Sequence, residues 1–287
     1  MIPTSAEPRF IEWRPIRQLL GYSGDEFDLI ILHQPIQDRH LFRDIWRSAK
    51  SKIAADGGAN EIYRLSKSTN SRAVGSSRGL VESADPYTSL DTIIGDLDSL
   101  SDEARAYFSH THIIHEPDQY STDFTKAVRY SRRESPGRDL VCLGGLGGRV
   151  DQGLSQLHHL YMFQTSPTYA EGRMYLLSEE SLSFLLKGGR RHRIWVREPC
   201  AEAEDTPAQI RSELFSRYVG IVPLAGPAVI STRGLEWDVQ DWPTAFGTQM
   251  STSNHVLPGT EAVEIQTDND VLFTIALKQE IKKRQDA

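Results

Sequence analysis

The chain has 287 residues, 39% of them hydrophobic and 25% charged, with a formal net charge of −7 at pH 7. That length admits one large or two ordinary domains with a real core, and the acidic balance argues against nucleic acid or an anionic membrane as partner. The two cysteines, Cys142 and Cys200, have no Cys or His at metal-ligand spacing, which argues against zinc and a disulfide framework. No apolar stretch is long enough for a signal peptide or a membrane span, so the expected location is cytoplasmic.

In chain order, short apolar runs at 29–32, 53–55, 92–94, 112–114 and 140–143 each end in polar residues or glycine. Helix-like segments lie between them. Phe124, Ala127 and Val128 share one face, and Leu154, Leu157, His158 and Tyr161 another. Continuous apolar strands separated by helices predict a parallel sheet covered on both faces, with a site at the carboxyl ends of its strands. Cys142, in a Val-Cys-Leu run, is expected as a small buried hydrophobe. The stretches 66–90, rich in Ser, Gly, Arg and Thr, and 198–209, acidic with two prolines, read as surface loops. Beyond about residue 170 the character changes. Apolar runs recur at 174–177, 182–186, 194–196, 219–222, 228–232, 262–266 and 271–277 with turn residues between them, which predicts a separate antiparallel sandwich or barrel. The expected organisation is an α/β domain over 1–170 and an all-β domain over 171–287.

Five clusters carry chemistry. Asp96-Leu97-Asp98 follows the run 92–94, and alternation along an emerging strand would turn both carboxylates to one point, as Mg²⁺ requires. The polar-turn alternative makes Ser99, with Asp102, the cap of a following helix. Asp56-Gly57-Gly58-Ala59-Asn60 joins a strand to a helix-like segment, where a phosphate can meet backbone amides. In Asp118–Lys126, Asp123 sits in a first helical turn with Lys126 three residues on, a carboxylate beside an ammonium, with Ser121 or Thr122 as cap. Gly144-Gly145-Leu146-Gly147-Gly148-Arg149-Val150-Asp151-Gln152 offers amides and a guanidinium to anionic oxygens, and Asp151 could cap the next helix, orient Arg149 or reach a metal through water. Its spacing matches neither a dinucleotide fingerprint nor a P-loop. Finally, residues 246–254 place small polar groups after Trp237 and Trp242, as for reading the edge and face of a heterocycle. His158 and His159 are expected in the core and on the surface of a helix respectively, not as ligands.

These five segments, 55–60, 94–99, 118–126, 144–152 and 246–254, occur in the order found in thiamine pyrophosphokinases, and the chain resembles the fungal form of that family. The resemblance implies a Rossmann-like α/β domain for ATP, a C-terminal β-sandwich for thiamine, and a homodimer with thiamine at the subunit interface. It implies formation of thiamine diphosphate and AMP from ATP and thiamine with Mg²⁺. Carried onto this chain, Asp96, Asp98 and Asp123 would hold the metal. Asp96, Asp98, Asp123, Lys126, Arg149 and Asp151 would form the catalytic set. ATP would meet Asp56, Gly57, Gly58, Asn60, Gln119, Thr122, Gly147, Gly148 and Gln152, and thiamine would meet Trp237, Ser251, Ser253 and Asn254. Two rivals are a phosphatase using an Asp nucleophile after an apolar strand, and a non-catalytic nucleotide or thiamine sensor.

Overall fold

A computed structural model describes residues 10–20, 26–73, 86–197 and 214–278. The chain divides into two compact units, one spanning Leu19–Glu179 and the other combining the chain up to Gln18 with the chain from Glu180 onward. The first elements among the described residues are β1 (Ile11–Trp13) and α1 (Pro15–Leu20).

The unit from Leu19 contains β2 (Phe27–Ile31), α2 (Arg39–Ser48), β3 (Ser51–Ala55), α3 (Gly58–Ala73) and a single 3₁₀ turn (Pro86–Thr88). There follow β4 (Thr92–Gly95), α4 (Asp102–Tyr107), β5 (His112–His115), α5 (Asp123–Glu134), β6 (Asp139–Leu143), α6 (Val150–Phe163) and β7 (Met174–Leu177). Its strands pair in parallel in the order β7-β6-β2-β3-β4-β5. β2 is buried along its whole length, as a central strand covered on both faces must be. Its one polar residue, Asp28, is satisfied by Ser131 Oγ at 2.6 Å and Arg138 Nη1 at 2.9 Å. The chain builds outward from β2 through β5, then returns to place β6 on β2's other side. The reversal of strand order between β2 and β6 is a topological switch point, where sheets of this kind bind ligands at the carboxyl ends of their strands.

Several expectations change here. Met174–Leu177 pairs in parallel with β6 and is not antiparallel; a short run buried on both faces reads the same in either kind of sheet. Residues 66–73 continue α3 instead of forming a loop, because Ile62, Leu65 and Ser66 give that helix a buried face. The remainder of that stretch up to 85, and 198–213 with Cys200, lie outside the described residues. Ser101, not Ser99, caps α4, accepting from the Ala104 N–H at 3.2 Å. On α6 the inward residues are His159 and Leu160, while Leu154 and His158 of the predicted stripe are exposed. Helical spacing locates a stripe but not what covers it.

The other unit adds β8 (Ser181–Leu186), β9 (Arg190–Trp195), β10 (Phe215–Val222), β11 (Ala228–Arg233), β12 (Trp242–Thr244), β13 (Ser251–His255), β14 (Ala262–Thr267) and β15 (Val271–Leu277). One sheet runs β1-β9-β14-β11-β12, and the second runs β13-β10-β15-β8 within this unit. Among the described residues of this unit the pairings are antiparallel except β1 on β9. The two sheets form the expected sandwich, closed by Trp13 of β1 stacked on Phe184 of β8 at 4.3 Å between ring centroids. The indole N–H donates to His192 Nδ1 at 3.1 Å, so the buried ring carries no unmet donor. β1 is too short to stand out in the sequence, and Ser251–His255, expected as a loop, is an edge strand.

Candidate active site at the carboxyl ends of the parallel strands

β4 ends at Gly95, so Asp96 and Asp98 lie beyond the strand and pleat alternation does not bring them together. A turn does. Leu97 takes φ +65°, and the Asp98 N–H folds back onto Asp96 Oδ1 at 3.2 Å. Asp56, at φ +42° after β3, reaches the same point. A branched apolar side chain and a carboxylate both held in the left-handed region, at the ends of adjacent strands, mark backbone strained in favour of a site. Asp56, Asp96 and Asp98 each offer an oxygen within 4.8 Å of the others.

The three carboxylates differ in setting. Asp56 is 2% exposed; its Oδ2 accepts the Ser99 N–H at 3.1 Å, while Oδ1 is buried without a hydrogen-bond partner. Burial pushes its pKa up, the Ser99 amide opposes this, and the charges of Asp123 and Asp96 add to the rise. Asp96 is held below the usual carboxylate range, first by the Asp98 N–H, then by Gln119, whose Nε2 donates to Oδ2 at 2.9 Å, and by the Lys126 charge. Asp98 is exposed and accepts the Ser99 hydroxyl at 2.9 Å.

Asp123, expected as a metal ligand, sits beside this trio and is not among its three converging carboxylates. Its Oδ1 accepts from Lys126 Nζ at 3.0 Å and from the Asp96 N–H at 3.2 Å. Thr122 is the cap of α5, accepting the Thr125 N–H at 3.1 Å. Gly95 is central: a Cβ there would lie 2.7 Å from Asp56 Cβ and 2.9 Å from Asp123 Oδ1. Only a hydrogen fits between the two acids. Asn60 clamps the turn from below, giving Nδ2 to the Ser99 carbonyl at 2.7 Å and taking the Ser101 N–H at 3.0 Å. Gly57 and Gly58 lie where β3 passes into α3.

At the switch point between β2 and β6, the glycine loop follows β6 with Gly148 at φ +68° and with no neighbour within 4 Å of a Cβ built on Gly147. Amides in such a loop are free to face an anion. Arg149 begins α6 without a side-chain cap, and Asp151 pairs with Arg149 instead of capping, through Nε–Oδ1 at 3.1 Å and Nη2–Oδ2 at 2.5 Å. That pairing lowers the Asp151 pKa and raises that of Arg149. Gln152 is exposed on the same turn.

In the sandwich unit, Trp237 is 56% exposed and its ring lies 5.1 Å from that of His255. Buried Asn254 holds it by the backbone, accepting the Trp237 N–H at 3.2 Å and donating to its carbonyl at 3.0 Å. Ser253 takes φ +55°, and Ser251 begins the same edge strand.

Residues 42–170 match the thiamin pyrophosphokinase catalytic domain, and residues 208–272 match the thiamin pyrophosphokinase vitamin B1 binding domain. Thiamine pyrophosphokinase 1 of Arabidopsis thaliana is 30% identical over 270 residues, covering 90% of this chain and 88% of the relative. The chain is an enzyme of the thiamine pyrophosphokinase family. The Saccharomyces cerevisiae thiamine pyrophosphokinase is 26% identical over 91% of this chain and 89% of its own. The fold is shared with the crystal structure of yeast thiamin pyrophosphokinase, with a TM-score of 0.74 at 24% identity over 97% of this chain and 95% of that one. The thiamin pyrophosphokinase from Candida albicans gives 0.72 at 21% over 95% of each chain. Sequence reasoning gave Gly95 no role within its motif, and it did not pick out the grouping of Asp56 with Asp96 and Asp98, or Gln34, whose side chain packs against the glycine loop. The Asp56 grouping had one available signal, the end of the adjacent apolar run; Gln34 had none.

Proposed function

We propose that the enzyme transfers the diphosphoryl group of ATP to the hydroxyethyl oxygen of thiamine, giving thiamine diphosphate and AMP. The observation that carries this reading is the convergence of Asp56, Asp96 and Asp98 beside the Asp123–Lys126 pair, in a chain of this family. The donor set fits Mg²⁺: hard carboxylate oxygens meet at one point, and the buried Asp56 Oδ1 otherwise has no partner. Asp96 and Asp98, with Asp56, would hold the ion, which when bound neutralises phosphate charge. Asp123 orients Lys126 and anchors the Asp96 amide, so it belongs to the same set from one step back.

The remaining groups act on the polyphosphate. Lys126, buried against the site, meets a transferring phosphoryl oxygen as a fixed charge. Arg149 exchanges its carboxylate partner Asp151 for phosphate, and the amides of Gly147 and Gly148 cover the leaving AMP end. Gln119 and Asn60 hold Asp96 and the 99–101 turn in place, while Asp56, Gly57, Gly58, Thr122 and Gln152 border the nucleotide. The hydroxyl attacks the β-phosphorus in line, and catalysis is mainly positioning and charge stabilisation. For thiamine, Trp237 stacks on a ring and Ser251 and Ser253 meet the aminopyrimidine, with Asn254 setting the Trp237 backbone. The exposed apolar stripe of α6, with Val150 78% and Leu154 59% exposed, supports a homodimer in which a second copy covers it.

The decisive assay follows AMP release from ATP and Mg²⁺ with and without thiamine, with the products separated by chromatography. Thiamine-dependent AMP matched by thiamine diphosphate is expected. ADP with thiamine monophosphate, or phosphate released without thiamine, refutes the reading.

A further inference from the structure

One buried titratable group has no part in the chemistry just described. His159, in the third turn of α6, is 2% exposed. Its Nδ1 lies 2.5 Å from the Ser155 carbonyl oxygen, which can only accept, so Nδ1 carries the proton and Nε2 is an acceptor. Two hydroxyls converge on that acceptor, Thr122 Oγ1 at 3.0 Å and Thr125 Oγ1 at 2.8 Å. Nε2 has one lone pair, so one hydroxyl donates to it and the other donates to its neighbour across the 3.1 Å between Thr122 Oγ1 and Thr125 Oγ1; in either arrangement Thr122 Oγ1 keeps a lone pair for the Thr125 N–H, the bond that caps α5. Phe124 stacks on the same ring at 4.5 Å, and Phe163 flanks it at 6.1 Å. His159 therefore touches three side chains flanking Asp123: Thr122, Phe124 and Thr125.

We propose that His159 is a positioning residue for diphosphoryl transfer, locking the first turn of α5, and with it Asp123 and Lys126, onto the helix that follows the glycine loop. The two segments that would grip the polyphosphate start α5 and α6, and this imidazole joins them by hydrogen bonds at one point. Its lowered pKa, caused first by burial, keeps the acceptor form present at neutral pH. A histidine that merely filled space here would be replaced by phenylalanine without consequence, since the ring stack would survive. The proposal rests on the diphosphokinase reading.

The test compares His159→Phe and His159→Gln in the full chain. Phenylalanine keeps the stack and removes the acceptor; glutamine returns a carbonyl oxygen near the position of Nε2. His159→Phe is expected to lower kcat about 10- to 100-fold through displacement of Asp123 and Lys126, with KM for thiamine changed less than about twofold. The same variant is expected to speed amide exchange at Thr125 and Lys126 about tenfold. His159→Gln is expected to restore most of both. Should the phenylalanine variant not fold, Thr125→Val removes one of the two hydroxyls without changing shape, and a fall in kcat of about fivefold is expected from one lost hydrogen bond. Unchanged kcat in a folded variant, or equal loss with phenylalanine and glutamine, overturns the proposal alone. A wild-type enzyme that makes no thiamine-dependent AMP overturns the function reading and this proposal together.

Discussion

The Asp123–Lys126 pair should respond very differently to loss of either partner. The Lys126 side chain is 3% exposed and that of Asp123 is 29% exposed, with Nζ and Oδ1 3.0 Å apart. Asp123→Ala leaves an ammonium in the interior that water cannot reach. Breaking a buried pair in that sense costs about 3 kcal/mol, the lower end of the usual range because one partner was already partly hydrated. Lys126→Met keeps most of the apolar stem and leaves a carboxylate that still accepts the Asp96 N–H and can be hydrated. Its cost should be about 1 kcal/mol. For a unit of this size 1 kcal/mol is about 2–4 °C, so the expected falls in Tm are about 6–12 °C for Asp123→Ala and about 2–4 °C for Lys126→Met. Both variants should lose kcat by about 100-fold or more if Lys126 meets the transferring group. Calorimetry beside the AMP assay reads both quantities. If Lys126→Met melts as low as Asp123→Ala, burial does not set the asymmetry and the argument fails.

Gly95→Ala should lower kcat by about 100-fold, because its Cβ forces Asp56 and Asp123 apart. Its stability cost should be about 1–3 kcal/mol, slightly offset by the stiffer unfolded chain, so near-normal turnover in this variant would contradict the packing described. His159 predicts a pH effect. Its folded pKa lies below the ordinary 6.5, burial being the main cause, with the Ser155 carbonyl opposing and His158 adding to the fall. Below about pH 6.5 the unfolded chain therefore binds the proton first, and stability is full above that pH and declines as pH falls toward the folded value. Urea midpoints should show a shallower decline for His159→Phe, and identical slopes would refute this assignment. Leu154→Lys, placing a charge in the exposed stripe of α6, should shift sedimentation toward a monomer without lowering Tm appreciably.

The parallel sheet was legible because its strands are continuous apolar runs separated by helices, a pattern that burial on both faces requires. Phe27–Ile31 and Asp139–Leu143 pair along their whole length, as such runs should. The chemistry-bearing clusters were legible too, since Asp96, Asp98, Asp123 and Lys126 do meet within a few ångströms. The reason offered for Asp96 and Asp98 was mistaken. Their convergence depends on Leu97 in a left-handed conformation, which no local preference of leucine announces.

What the sequence determined by itself was therefore periodicity, composition and the order of short motifs, all properties of neighbours along the chain. Tertiary structure decided everything that depends on a partner far away. The strand Met174–Leu177 joined the parallel sheet through β6, and Ile11–Trp13 found β9 about 180 residues later. Asp56 joined Asp96 and Asp98 because β3 and β4 are adjacent and in register, and Gly95 became indispensable only when two acids closed around it. His159 turned inward while Leu154 stayed outside, against the spacing of the helix. Burial free energy belongs to pairs of surfaces, and a sequence shows one surface at a time.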